Sequence, residues 1–292
     1  MSVQGGLGAS LVVLCLLLGG CGDEAASKSG DGASGDSERG SRPYTGYPDS
    51  MVVLAHSGAT GEGSEGTPGV EVRENSWATG TNPAVNSVYQ RLLELNPAIE
   101  GNAENLARGG ATVEDLVSQA HEAVRLDPRP QLVLIQIMDN DIVCPASTED
   151  YDTFGSTFES ALDVLTEGLP EARFLVVSQF GSPSSYWKAL TPDQRRQFGE
   201  TGLCAFIEPN GDLDQRELAR FETTIRVYES KLAEGCQKVE RCAYDDGAFG
   251  SVEDKAEYLA SDLNHLSVAG HAKAAEVAWT SVLSAGLAPA ED

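Results

Sequence analysis

Three side chains of this chain could together run nucleophilic chemistry: the hydroxyl of Ser57, the imidazole of His265 and the carboxylate of Asp262. A hydroxyl attacks poorly until a base removes its proton, and that base must be held in one tautomer by a third group. Asp262 and His265 are three residues apart, so they can meet on a single turn as a self-aligning pair. Neutral donors that could stabilise the negative oxygen formed by such an attack are also present. Asn140 carries a side-chain amide, and Gly109-Gly110 lets backbone approach a substrate without an intervening Cβ.

Positioning these groups requires strands that end beside them. Met51-Val52-Val53-Leu54-Ala55 is a short apolar run that ends just before Ser57 and reads as a buried strand. Ala103–Ala107 is a second strand candidate, before Gly109 and Gly110. Leu132–Met138, β-branched and nearly continuous, is the strongest, and Asn140 follows it. Arg173–Ser178 is a fourth. Helical spacing is expected over 83–96, over Val113–Val124 with Thr112 as N-cap, and near 152–167, 191–199, 212–235 and Val268–Leu283. Strands alternating with helices imply a parallel sheet covered on both faces, with ligands beyond the carboxyl ends of the strands.

The stretches Val52–Ser57, Asn105–Thr112, Ile137–Asp141 and Asp262–His265 resemble, in order, the four signature blocks of SGNH (GDSL-like) hydrolases, across about residues 48–285. The resemblance implies an α/β fold: a flavodoxin-like, three-layer α/β/α sandwich around a five-stranded parallel sheet. It makes Ser57 the nucleophile, His265 the base and Asp262 its orienting partner, with an oxyanion hole from the N–H groups of Ser57 and Gly110 and the amide of Asn140. It implies a serine esterase working through an acyl-enzyme on Ser57 without cofactor or metal, on acyl lipids, acylated sugars or small acyl esters. Three positions depart from the family: Ala55-His56 stands where Gly-Asp is usual, and Met138 where glycine is usual. His56 is expected to replace the aspartate as a structural hydrogen-bonding group, and Met138 to narrow or re-aim the pocket. The alternative function is a surface binding lipoprotein that keeps the fold without turnover.

Other readings of the same residues are weaker. Asp139 and Asp141 flank Asn140 and could suggest a glycosidase pair, but paired carboxylates mean little in a chain with 45 acids. His121 and His271 lack metal-like partner spacing. Tyr186 and Trp187, read as a loop after the fourth strand, could line the cleft or simply pack.

The first twenty residues carry no Asp, Glu, Lys or Arg, and the apolar stretch Leu7–Leu18 is too short to span a bilayer. It reads as a signal-peptide core. Leu18-Gly19-Gly20-Cys21 looks like a bacterial lipobox, so residues 1–20 are expected to be removed and Cys21 lipidated. Residues 22–46, rich in Gly, Ser and Asp, form the expected tether that follows Cys21, with a span of about 25–30 Å. The catalytic domain is expected over 47–288, anchored at the bacterial cell envelope, facing outside the cytoplasm and monomeric. Four cysteines remain in it, and four in an exported protein suggest two disulfides. Of three possible pairings, Cys144–Cys204 with Cys236–Cys242 is the expected one. The net charge of −25 disfavours nucleic-acid partners and is most simply a solvated surface.

Overall fold

The computed structural model describes residues 46–199 and 203–289. The expected leader, Cys21 and almost all of the tether lie outside the described residues. Five parallel strands form one sheet in the order β2-β1-β3-β4-β5: β1 Met51–Ala55, β2 Ala103–Asn105, β3 Leu132–Gln136, β4 Arg173–Val176 and β5 Cys242–Tyr244. This is the flavodoxin-like order, in which the switch point lies between β1 and β3. Helices α1 Val88–Leu95, α2 Val113–Ala123, α3 Thr148–Gly168, α4 Pro183–Ala189, α5 Pro192–Gly199, α6 Gln215–Gln237 and α7 Val268–Ser284 connect and cover the strands.

Both faces of the sheet are apolar because alternate strand residues enter separate cores. Val52, Leu54, Val133, Ile135, Phe174 and Val176 pack with Leu116 of α2, Phe158 of α3 and Tyr228 of α6. Met51, Val53, Leu132, Leu134 and Leu175 pack with Leu92 of α1 and Ala274, Ala278 and Val282 of α7. Each fully buried aliphatic side chain favours the folded state by roughly 1.5–3 kcal/mol. The three-layer sandwich follows from this two-sided burial.

Several elements differ from the sequence reading. Helix α1 begins at Val88, since Asn86 adopts a positive φ of 50° and Ser87 closes a capping box with Gln90. Tyr186 and Trp187 lie on α4, which starts at Pro183 behind the N-cap Ser182. The fifth strand, β5, is too short and too little buried to show as an apolar run. Gly46, the last residue of the expected tether, is held by the domain, its carbonyl accepting from Arg173 at 3.1 Å. The disulfides are Cys144–Cys204 and Cys236–Cys242. Among the described residues, no helix is long and apolar enough to cross a membrane.

Candidate active site

At the carboxyl end of β1 the chain turns sharply. His56 caps the 3-10 turn Ser57–Ala59, its Nδ1 accepting the N–H of Gly58 at 2.9 Å. A second turn approaches from the far end of the sequence. Asp262 Oδ1 accepts the N–H groups of Asn264 at 2.9 Å and His265 at 3.0 Å, while Leu263 takes a φ of 61°. This side-chain turn leaves Oδ2 of Asp262 2.8 Å from Nδ1 of His265. The opposite ring nitrogen, Nε2, lies 2.9 Å from Oγ of Ser57. With Nδ1–H donated to Asp262, Nε2 is left to accept from the serine hydroxyl. Burial raises the Asp262 carboxyl, but hydrogen bonds from the His265 ring and from the N–H groups of Asn264 and His265 outweigh it and hold it below the usual carboxylate range.

Asn140, after β3, faces the same cleft. One of its two amide hydrogens goes to the carbonyl of Ala111 at 2.9 Å, which ties the amide to the turn after β2 and leaves the second hydrogen for another acceptor. Gly110 has a positive φ of 73°, a conformation that favours glycine, but it is not among the residues lining the cleft. Its neighbour Gly109 faces Glu62, to whose Oε2 an added Cβ would come within 3.2 Å. Thus Ser57, Asp262, His265 and Asn140 come together in one cleft, and Gly110 is not brought into its lining.

Two residues beside the site were missed in the sequence. Glu62 brings Oε2 to 3.7 Å from Nε2 of His265. Gly63, at a φ of 71°, lies so close to the orienting carboxylate that a Cβ would come within 2.8 Å of Asp262 Oδ2. Neither follows a strand or belongs to a motif. Only the return of the C-terminal turn onto this loop gives them their neighbours.

The departures from the family pattern have distinct structural outcomes. Met138 does not narrow the cleft: it is fully buried in the core on the α2 and α3 side, at a positive φ of 142°. That backbone conformation is one glycine adopts without strain, which accounts for glycine as the usual residue there. Asp141 accepts the N–H of Val113 at 3.0 Å and so binds the start of α2. Burial is the largest cause of its carboxyl being raised to about 6. His271 is buried within α7, where desolvation lowers it to about 3. Asp139 brings its Oδ2 to 2.8 Å from Nε2 of His56. Asp139 and Asp141 therefore each serve a separate backbone turn.

The cleft holds about 490 Å³ and is flanked by Ile142, Phe206, Phe221 and Leu263 beside the polar groups. Tyr186 lines it and donates its hydroxyl to the carbonyl of Leu263 at 2.7 Å, bracing the Asp262 turn. Trp187 instead stacks under the Arg195 guanidinium. Cys144–Cys204 links the chain after Asn140 to the segment carrying Phe206. Among the described residues, no cluster of three His, Cys, Asp or Glu could hold a metal ion.

A family model described as GDSL-like Lipase/Acylhydrolase matches residues 49–278. No curated protein matches the chain in sequence. Similar solved structures include a salicylyl-acyltransferase from a tetracycline biosynthetic pathway, 13% identical with a TM-score of 0.52, over 85% of this chain and 57% of that one. Phospholipase A1 from Streptomyces albidoflavus is 14% identical with a TM-score of 0.48, over 80% of this chain and 98% of that one. A variant of an acetyl xylan esterase from Geobacillus stearothermophilus is 19% identical with a TM-score of 0.44, over 85% and 99%. At these identities the likeness concerns the fold.

Proposed function

Since the chain belongs to the GDSL-like lipase/acylhydrolase family and is thereby an ester hydrolase, we propose that it is a serine esterase that cleaves carboxylic esters through an acyl-enzyme on Ser57. The observation that carries this reading is the relay from Asp262 Oδ2 to His265 Nδ1 and from His265 Nε2 to Ser57 Oγ, at 2.8 and 2.9 Å. In the first half-reaction Ser57 Oγ attacks the ester carbonyl as its proton passes to His265 Nε2. Asp262 stabilises the imidazolium that forms. The negative oxygen is met by the second amide hydrogen of Asn140 and by the N–H groups of Ser57 and Gly110, each such donor lowering the barrier by about 3–4 kcal/mol. Collapse breaks the ester C–O bond, and His265 returns its proton to the departing alcohol. Water then repeats the sequence on the acyl-serine, releasing the acid.

The apolar flank of the cleft suits the acyl part of a lipid, acylated sugar or small ester. We further propose that residues 1–20 are a leader, that Cys21 carries lipid, that the residues after it tether the domain over 47–288, and that the enzyme acts as a monomer at the bacterial cell envelope outside the cytoplasm. Two disulfides fit an oxidising compartment.

The decisive experiment is labelling with a fluorophosphonate probe and peptide mapping, with p-nitrophenyl acetate hydrolysis by the protein and its Ser57→Ala variant. A tag on Ser57 and loss of hydrolysis in the variant are expected. Equal background rates with no tag would favour a binding protein instead. For the anchor, Cys21→Ser is expected to release the domain from membranes.

A further inference from the structure

The ring of His56 touches two of the turns that build the site, the one carrying Ser57 and the one carrying Asn140. β1 and β3 run parallel with Ala55 opposite Gln136, and the N–H of His56 continues the ladder to the carbonyl of Gln136 at 3.2 Å. The chains that leave these two strands therefore emerge side by side, one toward Ser57 and the other toward Asn140. On one edge, Nδ1 of His56 caps the Ser57 turn through the N–H of Gly58. On the other edge, Nε2 lies 2.8 Å from Oδ2 of Asp139, the residue before Asn140. This is a close polar contact without the alignment of a hydrogen bond. Because Nδ1 accepts, the ring proton sits on Nε2, the nitrogen nearest the carboxylate. His56 is only 5% exposed, so its ring has little freedom to leave this position.

We propose that His56 and Asp139 are a positioning couple that holds the Ser57 turn and the Asn140 turn at a fixed separation, keeping nucleophile and amide donor in register. The proposal rests on the serine-esterase reading above. Its physical basis is that a misplacement of about 1 Å between reacting groups can cost on the order of 100-fold in rate. The couple also ties the identities of the two positions together. An aspartate at position 56 would set a second carboxylate against Asp139, and the two would repel. A neutral ring that accepts on one side and presents N–H on the other avoids that conflict.

The test is a double-mutant cycle on the purified full chain, with kcat and KM for a p-nitrophenyl ester, the fluorophosphonate labelling rate, and circular dichroism to establish folding. His56→Ala and Asp139→Asn are each expected to lower kcat by about 10- to 100-fold with KM within about twofold, and labelling should slow in proportion. The double variant should be no slower than the slower single one. His56→Asp should be impaired, and adding Asp139→Asn to it should recover at least about tenfold by removing the repulsion. Multiplying single effects, a change confined to KM, or no recovery would overturn the couple. If His56→Ala fails to fold, Asp139→Asn decides alone, because its side chain is already one-third exposed, and an unchanged kcat overturns the couple. A wild-type protein that neither labels at Ser57 nor hydrolyses ester counts against the esterase reading itself. Wild-type labelling with an unchanged Asp139→Asn counts against the couple alone.

Discussion

His265 Nε2 and Ser57 Oγ meet at 2.9 Å although 208 positions separate them in the chain. Groups that act as one unit do not contribute independently to rate. Ser57→Ala, His265→Ala and the double variant are therefore expected to show the same residual hydrolysis, at least about three orders of magnitude below wild type. Asp262→Asn, which disturbs the tautomer while keeping the shape, should lower kcat by about three to four orders. Steady-state kinetics on one ester compares all four. A double variant far slower than either single one would mean that serine and histidine act separately.

Gly63 offers a test of the orienting carboxylate that leaves all three of these side chains in place. A Cβ there collides with Asp262 Oδ2 and also sits on a backbone at positive φ. Gly63→Ala is expected to lower kcat at least about tenfold by pushing the carboxylate off the ring, and to cost on the order of 1 kcal/mol of stability from the backbone alone. Kinetics beside a thermal melt separate the two effects. Wild-type kcat with a lowered melting temperature would show that the turn adjusts freely.

Met138 should reverse the usual order of alanine and glycine. Both truncations empty the same core space, at a cost of about 2–5 kcal/mol. Only glycine also relieves the backbone at φ 142°, where strain is about 1–3 kcal/mol. Met138→Gly is thus expected to be more stable than Met138→Ala in urea unfolding. The opposite order would mean that the backbone there is unstrained.

Glu229 makes stability depend on pH. Burial is the main cause of its carboxyl being raised to about 7, against a hydrogen bond from the N–H of Gln179 that lowers it, with the charges of Asp245 and Asp139 adding to the rise. The folded protein then holds this proton more tightly than the unfolded chain does. The contribution is complete below about 4.5 and is lost as pH rises through about 7. Glu229→Gln keeps an acceptor for Gln179 and removes the buried charge. It should stabilise the protein at pH 8 by about 1–2 kcal/mol, a figure reduced for partial exposure, and make little difference at pH 4.5. Melting curves at both values check it, and an equal shift at both would assign the effect to packing.

Much of this architecture is legible in the sequence because the two central strands are buried on both faces. Residues 132–135 of β3 and Met51–Ala55 show as unbroken apolar runs for that reason. The triad is legible for a related reason: Ser57 follows a strand, and Asp262 and His265 share one turn. β5 is hidden because Cys242–Tyr244 is short and half-exposed. The start of α1 was signalled by Ser87 and Gln90, three apart as a capping box requires, yet Val85 drew the expected helix too far forward. Glu62 and Gly63 were illegible for a stronger reason. Their importance lies wholly in contacts with residues about two hundred positions away, which no local pattern encodes.

The sheet ends on both sides in strands of only three residues, β2 and β5. An edge this short offers a neighbouring molecule few open backbone groups to pair with, one of the ways natural sheets avoid joining end to end. That brevity works against a growing ribbon of copies, and the net charge of −25 adds mutual repulsion.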